Sequence, residues 1–247
     1  KNLEDVRESL TKKTLRVCVI GIGRIGLPTA LSFAKSGLST IGVDINENLV
    51  QNVNSGKFPL KDEPGYDVIF DKVLNEKFHV SAKIEDIVPS SDVIILSLPT
   101  PMDENNVPDY SALLTVGSQL GELISKDSLI IVESTIEPGF IEDSLITTIE
   151  NGKKKLVAGT DFSIGVCPET ANPGQIMNDF EKLPRLVGAI DKKTNDVIMK
   201  IYKHVFTVDL ISMKNCKTAN AVKLTTNVFR DLNIAFVNEL GILFEKV

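Results

Sequence analysis

Three glycines, Gly21, Gly23 and Gly26, follow a short apolar run, Leu15 to Ile20, and precede a stretch of helix-forming residues. That order predicts a strand, a tight turn and a helix. Gly21 permits the turn, Gly23 lets the backbone approach a pyrophosphate, and Gly26 lets helix and strand pack closely. The pyrophosphate then rests on the helix N-terminus, where free N–H groups and the helix dipole favour an anion. A second apolar run, Ser39 to Val43, ends in Asp44. It stands at about the twenty-residue distance at which a carboxylate binds the ribose hydroxyls of a dinucleotide. A carboxylate there repels a ribose phosphate, so the pattern favours NAD over NADP. A strand–helix turn that binds nothing needs no such acid.

A second group lies near the end of the chain. Lys223, Asn227 and Arg230 are spaced i, i+4 and i+7, which puts them on one face of a helix. Around them Val222, Leu224, Val228, Phe229, Leu232, Ala235, Phe236, Leu240 and Leu243 cover much of the helix circumference. A helix this apolar is expected to be buried on more than one side, against a second domain or a second subunit. Two readings stay open for its polar stripe. One is a salt-bridged face or snorkelling side chains. The other is a catalytic lysine with an amide and a cation that hold an anionic substrate.

The elements that must position these residues alternate. Strands are expected at 15–20, 39–43, 78–82, 92–98, 128–133, 162–167, 185–190 and 207–212. Helices are expected near 3–10, 24–36, 46–54, 65–75, 111–124, 140–150 and 194–203, then from about 217 onward. The fold class is α/β, a Rossmann-like doubly wound and mostly parallel sheet followed by a long, buried, dimer-forming helix. Pro- and Gly-rich spots at 99–108, 138–139 and 168–174 fall just after expected strands, where ligands bind in open α/β sheets.

The bulk numbers bound the rest. The 247 residues are 43% hydrophobic and 24% charged, with a net charge of −6, so no general attraction to nucleic acid or membrane is expected. Cys18, Cys167 and Cys216 form no CxxC pair, which fits a reducing compartment. The N-terminus is too polar for a signal peptide and no run has the length of a membrane span. The cytoplasm is the expected location, and no bound metal is expected. Glu245, Lys246 and Val247 continue the helical pattern without a capping glycine or proline, and the first residue is Lys1. Both features lead to the expectation that the chain is a piece of a longer protein.

Five motifs in order resemble the nucleotide-sugar 6-dehydrogenases, the UDP-glucose/GDP-mannose dehydrogenase family, over Leu15 to Leu243. They are the Gly21–Gly26 loop with Leu27-Pro28-Thr29-Ala30, and Leu98-Pro99-Thr100-Pro101. Glu133-Ser134-Thr135 with Pro138-Gly139 follows, then Cys167-Pro168-Glu169 through Asn172-Pro173-Gly174 with Pro184-Arg185-Leu186-Val187-Gly188. The last is Thr218-Ala219 through Lys223, Asn227, Arg230 and Asn238-Glu239. Within the family, Val107-Pro108-Asp109 and Glu133 are more similar to the UDP-N-acetylmannosamine dehydrogenases than to the UDP-glucose enzymes.

The resemblance implies NAD-dependent oxidation of the primary alcohol of a UDP-sugar to a uronic acid in two hydride transfers, with a covalent intermediate on a cysteine. It implies that Lys223 and Asn227 stabilise the developing oxyanion, that Glu169 orients or activates the hydrolytic water, and that Arg230, with Thr170 and Ala171, holds substrate. Pro99, Thr100, Ser134, Thr135 and the Ile22, Arg24 and Ile25 positions of the first loop are implied to hold NAD, with Asp44 on its ribose. Residues 1–214 are read as the NAD-binding domain and 215–247 as the start of the long dimerisation helix. The family's UDP-binding domain and cysteine loop come later in such chains and are absent from these residues.

The chain departs from the pattern at Arg24, where the family has an aromatic residue, at Thr170, where it has an arginine, and at Asn220, where it has an acid. The alternatives are a UDP-glucose dehydrogenase, a 3-hydroxyacid dehydrogenase of the 6-phosphogluconate type, and a non-catalytic NAD-binding module.

Overall fold

Strands β1 (Arg16–Ile20), β4 (Val93–Leu96) and β5 (Leu129–Val132) carry apolar residues on both faces. Such strands need cover above and below the sheet. The computed structural model, which describes residues 3–246, shows both layers. Val17, Val19, Val93, Ile95, Leu129 and Ile131 enter one core with Phe33, Tyr66 and Tyr202. The alternate residues Cys18, Ile20, Ile94, Leu96, Ile130 and Val132 enter the other with Leu113, Leu120 and Leu145. Helices α1 (Leu3–Thr11), α2 (Gly26–Lys35) and α9 (Lys192–Val205) cover the first face. Helix α6 (Ser111–Leu123) and α7 (Ile146–Glu150) cover the second.

Among the described residues one sheet has eight strands, ordered β3 (Phe78–Ser81), β2 (Ser39–Val43), β1, β4, β5, β6 (Ser163–Val166), β7 (Arg185–Ala189) and β8 (Leu210–Ser212). Every pairing is parallel except β6 with β7. The expected doubly wound sheet is therefore present. Its order reverses at β1, between β2 and β4, which opens a crevice beyond the carboxyl ends of those strands.

The elements differ from expectation in detail. The helix expected over 140–150 begins as a π-turn, Ile141–Leu145, before α7. Helix α8 (Ile176–Lys182) and the four-residue α5 (Ile84–Ile87) were not foreseen, because so few turns display little periodicity. Helices α3 (Glu47–Asn54) and α4 (Tyr66–Val73) lie where expected.

The long helix is α10, Cys216–Phe244, capped by the Asn215 side chain, which accepts from the Thr218 N–H at 2.9 Å. It ends at Phe244 instead of running on through Lys246; Val247 lies outside the described residues. Its first turns press on β7 so closely that a Cβ on Gly188 would lie 2.5 Å from the Asn215 carbonyl oxygen. Among its described residues only Cys216, Ala219, Asn220 and Lys223 are buried. Its 29 residues span about 44 Å at 1.5 Å per residue, too long for the sheet to cover. Val228, Phe229, Leu232 and Phe236 are therefore exposed, Phe229 by 69%, and the burial expected for them is not supplied by this chain. No described helix is long and apolar enough to cross a membrane.

Candidate functional site

The glycine loop has the shape its spacing predicts. Gly21 adopts φ +86°, and its N–H donates to the Val43 carbonyl at 2.8 Å. A Cβ on Gly21 would stand 2.5 Å from the Ser97 carbonyl oxygen, and one on Gly26 would stand 1.8 Å from that of Gly21. Neither position admits a side chain. A Cβ on Gly23 meets nothing within 4 Å, so this glycine faces open space, the room a pyrophosphate needs. Helix α2 begins here with Ile25 at its N-cap and no side-chain cap, which leaves its first-turn N–H groups free of a side-chain acceptor. These residues fit an NAD pyrophosphate.

Asp44 closes the loop from the end of β2. Its Oδ2 accepts from the Ile22 N–H at 3.0 Å and its Oδ1 from the Asn46 N–H at 2.9 Å. The Ile22 N–H, expected to hold the cofactor, is thus held by Asp44 instead. The carboxylate keeps further lone pairs for ribose hydroxyls. Hydrogen bonds to a charged group contribute about 1.5–3 kcal/mol. Asp44→Ala should therefore weaken NAD binding at least ~10-fold and reduce the preference over NADP, as read by calorimetric titration of both cofactors.

The loops after β4 and β5 are clasped together. Ser134 Oγ accepts from the Leu98 N–H at 2.9 Å and donates to the Leu98 carbonyl at 2.8 Å. Thr100 Oγ1 donates to the Thr135 carbonyl at 2.8 Å, while Pro99 is exposed at the rim. Beneath them Glu133 is buried. It accepts from Thr29 Oγ1 at 2.9 Å and Tyr202 Oη at 2.8 Å, and lies 3.6 Å from Arg185 Nη1. Burial pushes the Glu133 carboxyl up, against the pull of Arg185, Tyr202 and Thr29. The Arg185 guanidinium is itself enclosed, 4.2 Å from the Phe180 ring centre and 4.0 Å from that of Phe206, where the ring faces attract the cation.

The polar stripe of α10 assembles as its spacing requires. Buried Lys223 donates from Nζ to Asn227 Oδ1 at 3.3 Å. Arg230 donates to the same oxygen at 3.4 Å, and from Nη1 to Asn172 Oδ1 at 2.8 Å. Half-buried Glu169 accepts from the Ala171 N–H at 2.5 Å, and Thr170 lies between them. Burial lowers the Lys223 pKa; Glu169 opposes that shift and Arg230 adds to it. A lysine ammonium, a carboxamide, a carboxylate and a guanidinium therefore converge near the loops after β5 and β6. Arg24 does not join the open cradle: its side chain pairs with Asp62 at 2.7 Å and Glu63 at 3.0 Å.

The description "UDP-glucose/GDP-mannose dehydrogenase family, NAD binding domain" matches residues 15–206. The chain belongs to that family. The matched residues stop short of β8 and α10. A UDP-N-acetyl-D-mannosamine dehydrogenase of Campylobacter jejuni is 35% identical over 238 residues, covering 94% of this chain and 57% of the relative. The solved UDP-D-ManNAc dehydrogenase of Pyrococcus horikoshii superposes with a TM-score of 0.86 at 34% identity, over 93% of this chain and 54% of that one. A GDP-mannose dehydrogenase of Pseudomonas aeruginosa, solved as a ternary complex, gives 0.85 at 27% identity, over 91% and 52%. The chain spans about half the length of the relatives it matches.

None of the three cysteines has the surroundings of an activated nucleophile. Cys18, Cys167 and Cys216 are free and buried, and burial pushes each thiol up to about 12. A thiol in that state carries almost no thiolate at neutral pH. Three residues important to the site's architecture escaped the site reading of the sequence: Glu63, Arg185 and Tyr202. Glu63 stands before a Pro64-Gly65 turn, an acid with no apolar periodicity around it. Arg185 heads an apolar strand, and a cation entering such a strand was the available signal that it has buried partners.

Proposed function

We propose that this chain is the cofactor-binding half of an NAD-dependent nucleotide-sugar 6-dehydrogenase, with UDP-N-acetylmannosamine as its substrate. The observation that carries the reading is buried Lys223 within hydrogen-bond reach of Asn227, on the helix that follows the NAD-binding domain. When bound, NAD accepts the hydrides. Lys223 and Asn227 donate to the oxygen on the sugar's C6 as its charge develops. Glu169 orients the water that releases the acid. Arg230 and the backbone at Thr170 and Ala171 hold the substrate's polar groups. Pro99, Thr100, Ser134 and Thr135 would help hold the cofactor, and Asp44 would take its ribose hydroxyls. The net change converts one CH2OH group, two NAD+ and one water into a carboxylate, two NADH and three protons. The nucleophilic cysteine and the domain that recognises UDP belong, on this proposal, to the other half of the full-length enzyme.

The names of the Campylobacter and Pyrococcus relatives support the substrate, as do Glu133 and the Val107-Pro108-Asp109 segment. The test is NADH formation by the full-length gene product. UDP-N-acetylmannosamine should be oxidised with two NADH per sugar. Oxidation of UDP-glucose instead would reassign the sugar, and oxidation of a 3-hydroxyacid alone would overturn the reading. Residues 1–214 are proposed as one domain and α10 as the start of a homodimer interface, since a contiguous apolar face of this size marks an association site. Light scattering at micromolar concentration should give the mass of a dimer; a monomer would refute that assembly. A cytoplasmic location, with no nucleic acid or membrane among its partners, completes the proposal.

A further inference from the structure

One buried carboxylate outside the cradle and the Lys223 cluster joins the two. Glu63, in the loop between α3 and α4, has its side chain 1% exposed. Its Oε1 accepts from the Gly174 N–H at 2.7 Å and from Arg24 Nη1 at 3.0 Å; its Oε2 accepts from the Ile176 N–H at 3.3 Å. Arg24 belongs to the glycine loop, and Gly174 and Ile176 form the entry to α8. The surrounding chain is packed to match. A Cβ on Gly65 would lie 2.6 Å from Met177 Sδ, and the Tyr66 ring meets Phe180 edge-on at 6.3 Å. From α8 the bonds continue. Asp179 Oδ2 accepts from the Asn172 N–H at 2.8 Å and from its Nδ2 at 3.0 Å. Asn172 Oδ1 accepts from Arg230, which shares Asn227 with Lys223. A chain of polar contacts, interrupted only by the backbone of α8, runs from the glycine loop to the lysine.

We propose that Arg24 and Glu63 are positioning residues that couple NAD occupancy of the glycine loop to the placement of residues 172–176, and through Asn172 to Arg230. An exposed arginine loses side-chain entropy when it holds a partner. A pyrophosphate on the loop fixes the backbone that carries Arg24, so less freedom remains to be lost when Arg24 grips Glu63. The carboxylate then holds the two amides at the start of α8 more firmly. Such coupling is reciprocal, so a chain without the tie binds NAD more weakly. The tie assumes nothing about the substrate; only its benefit to substrate binding rests on the role proposed above for Arg230.

The test is hydrogen–deuterium exchange of the 247-residue chain with and without NAD, read in peptides covering 21–26 and 172–178. In the unmodified protein NAD should slow exchange in both. In Arg24→Met, a change at a partly exposed side chain, the slowing at 172–178 should fall at least ~5-fold while that at 21–26 persists. The NAD Kd should rise by a similar factor. Glu63→Gln, which keeps the shape and removes the charge, should do the same. An undiminished effect of NAD at 172–178 in Arg24→Met overturns the proposal and leaves Glu63 a purely structural cap. So does the absence of any effect there in unmodified protein whose 21–26 segment is protected. No protection at either segment would overturn the cofactor site along with it.

Discussion

Lys223→Met should, on the role proposed above, lower kcat of the full-length enzyme by about 10²–10³-fold, the cost of losing one preorganised donor to a developing oxyanion, with NAD affinity unchanged. The separation follows from position: Lys223 lies on α10 among Asn227, Glu169 and Arg230, whereas the cradle is built from the loop after β1. Steady-state kinetics with calorimetric NAD titration would check both halves. A loss confined to KM would mean that Lys223 only binds substrate.

The pH profile carries a second signature of the same residue. Burial holds the Lys223 ammonium below the ordinary lysine value of 10.5. On the role proposed for Lys223, the oxyanion donor is lost as pH rises through that lowered pKa, so an alkaline limb set by Lys223 is expected. Glu169 favours the ammonium and Arg230 disfavours it. Glu169→Gln should therefore shift the limb to lower pH and Arg230→Gln to higher pH. Between the lowered pKa and 10.5 the unfolded chain holds a proton that the folded chain lacks. Lys223 thus makes stability rise with pH across that window.

Arg185→Met should cost about 3–5 kcal/mol of stability, because it strands the Glu133 carboxylate in the core without its cation. For a chain of this size the midpoint of thermal unfolding should fall by roughly 10 °C. Glu133→Gln added to Arg185→Met should restore part of the loss, since the amide oxygen can still accept from Tyr202 while its NH2 donates to the Thr29 hydroxyl. A double variant no more stable than the single would show that the loss is the empty space between Phe180 and Phe206, not the unpaired charge. Burial raises the Glu133 pKa, and losing Arg185 raises it further. The folded variant then holds a proton above the ordinary carboxylate range that the unfolded chain has released. Its deficit should be smallest in acid and grow as pH rises through the folded pKa.

The two sites differ in how far the sequence discloses them. The NAD cradle is local: Gly21, Gly23 and Gly26 act through backbone geometry, and Asp44 follows one strand later. Each role is a property of spacing, and the structure has the matching backbone geometry, with the Ile22 N–H donating to Asp44. Lys223, Asn227 and Arg230 are equally local, since helical spacing alone puts them on one face. The doubly wound sheet was legible because strands apolar on both faces admit few other arrangements.

What only the tertiary structure decided is whatever joins segments remote in the chain. Glu63 meets Gly174 and Ile176 across more than a hundred residues, and no periodicity announces a single acid before a turn. Arg24 reads as a loop residue facing a cofactor, yet it turns to Asp62 and Glu63. Glu133 reads as one letter of a motif and proves to be the buried partner of Thr29, Tyr202 and Arg185. The long helix reads as buried, but burial depends on what lies beside it. Here α10 runs farther than the sheet can cover, so this chain by itself leaves the apolar half of the helix uncovered. Spacing along the chain determines which groups share a face or a turn, because backbone geometry is periodic. Which groups then meet across the fold is decided by packing, where a charge without a near neighbour in sequence must find its partner in space.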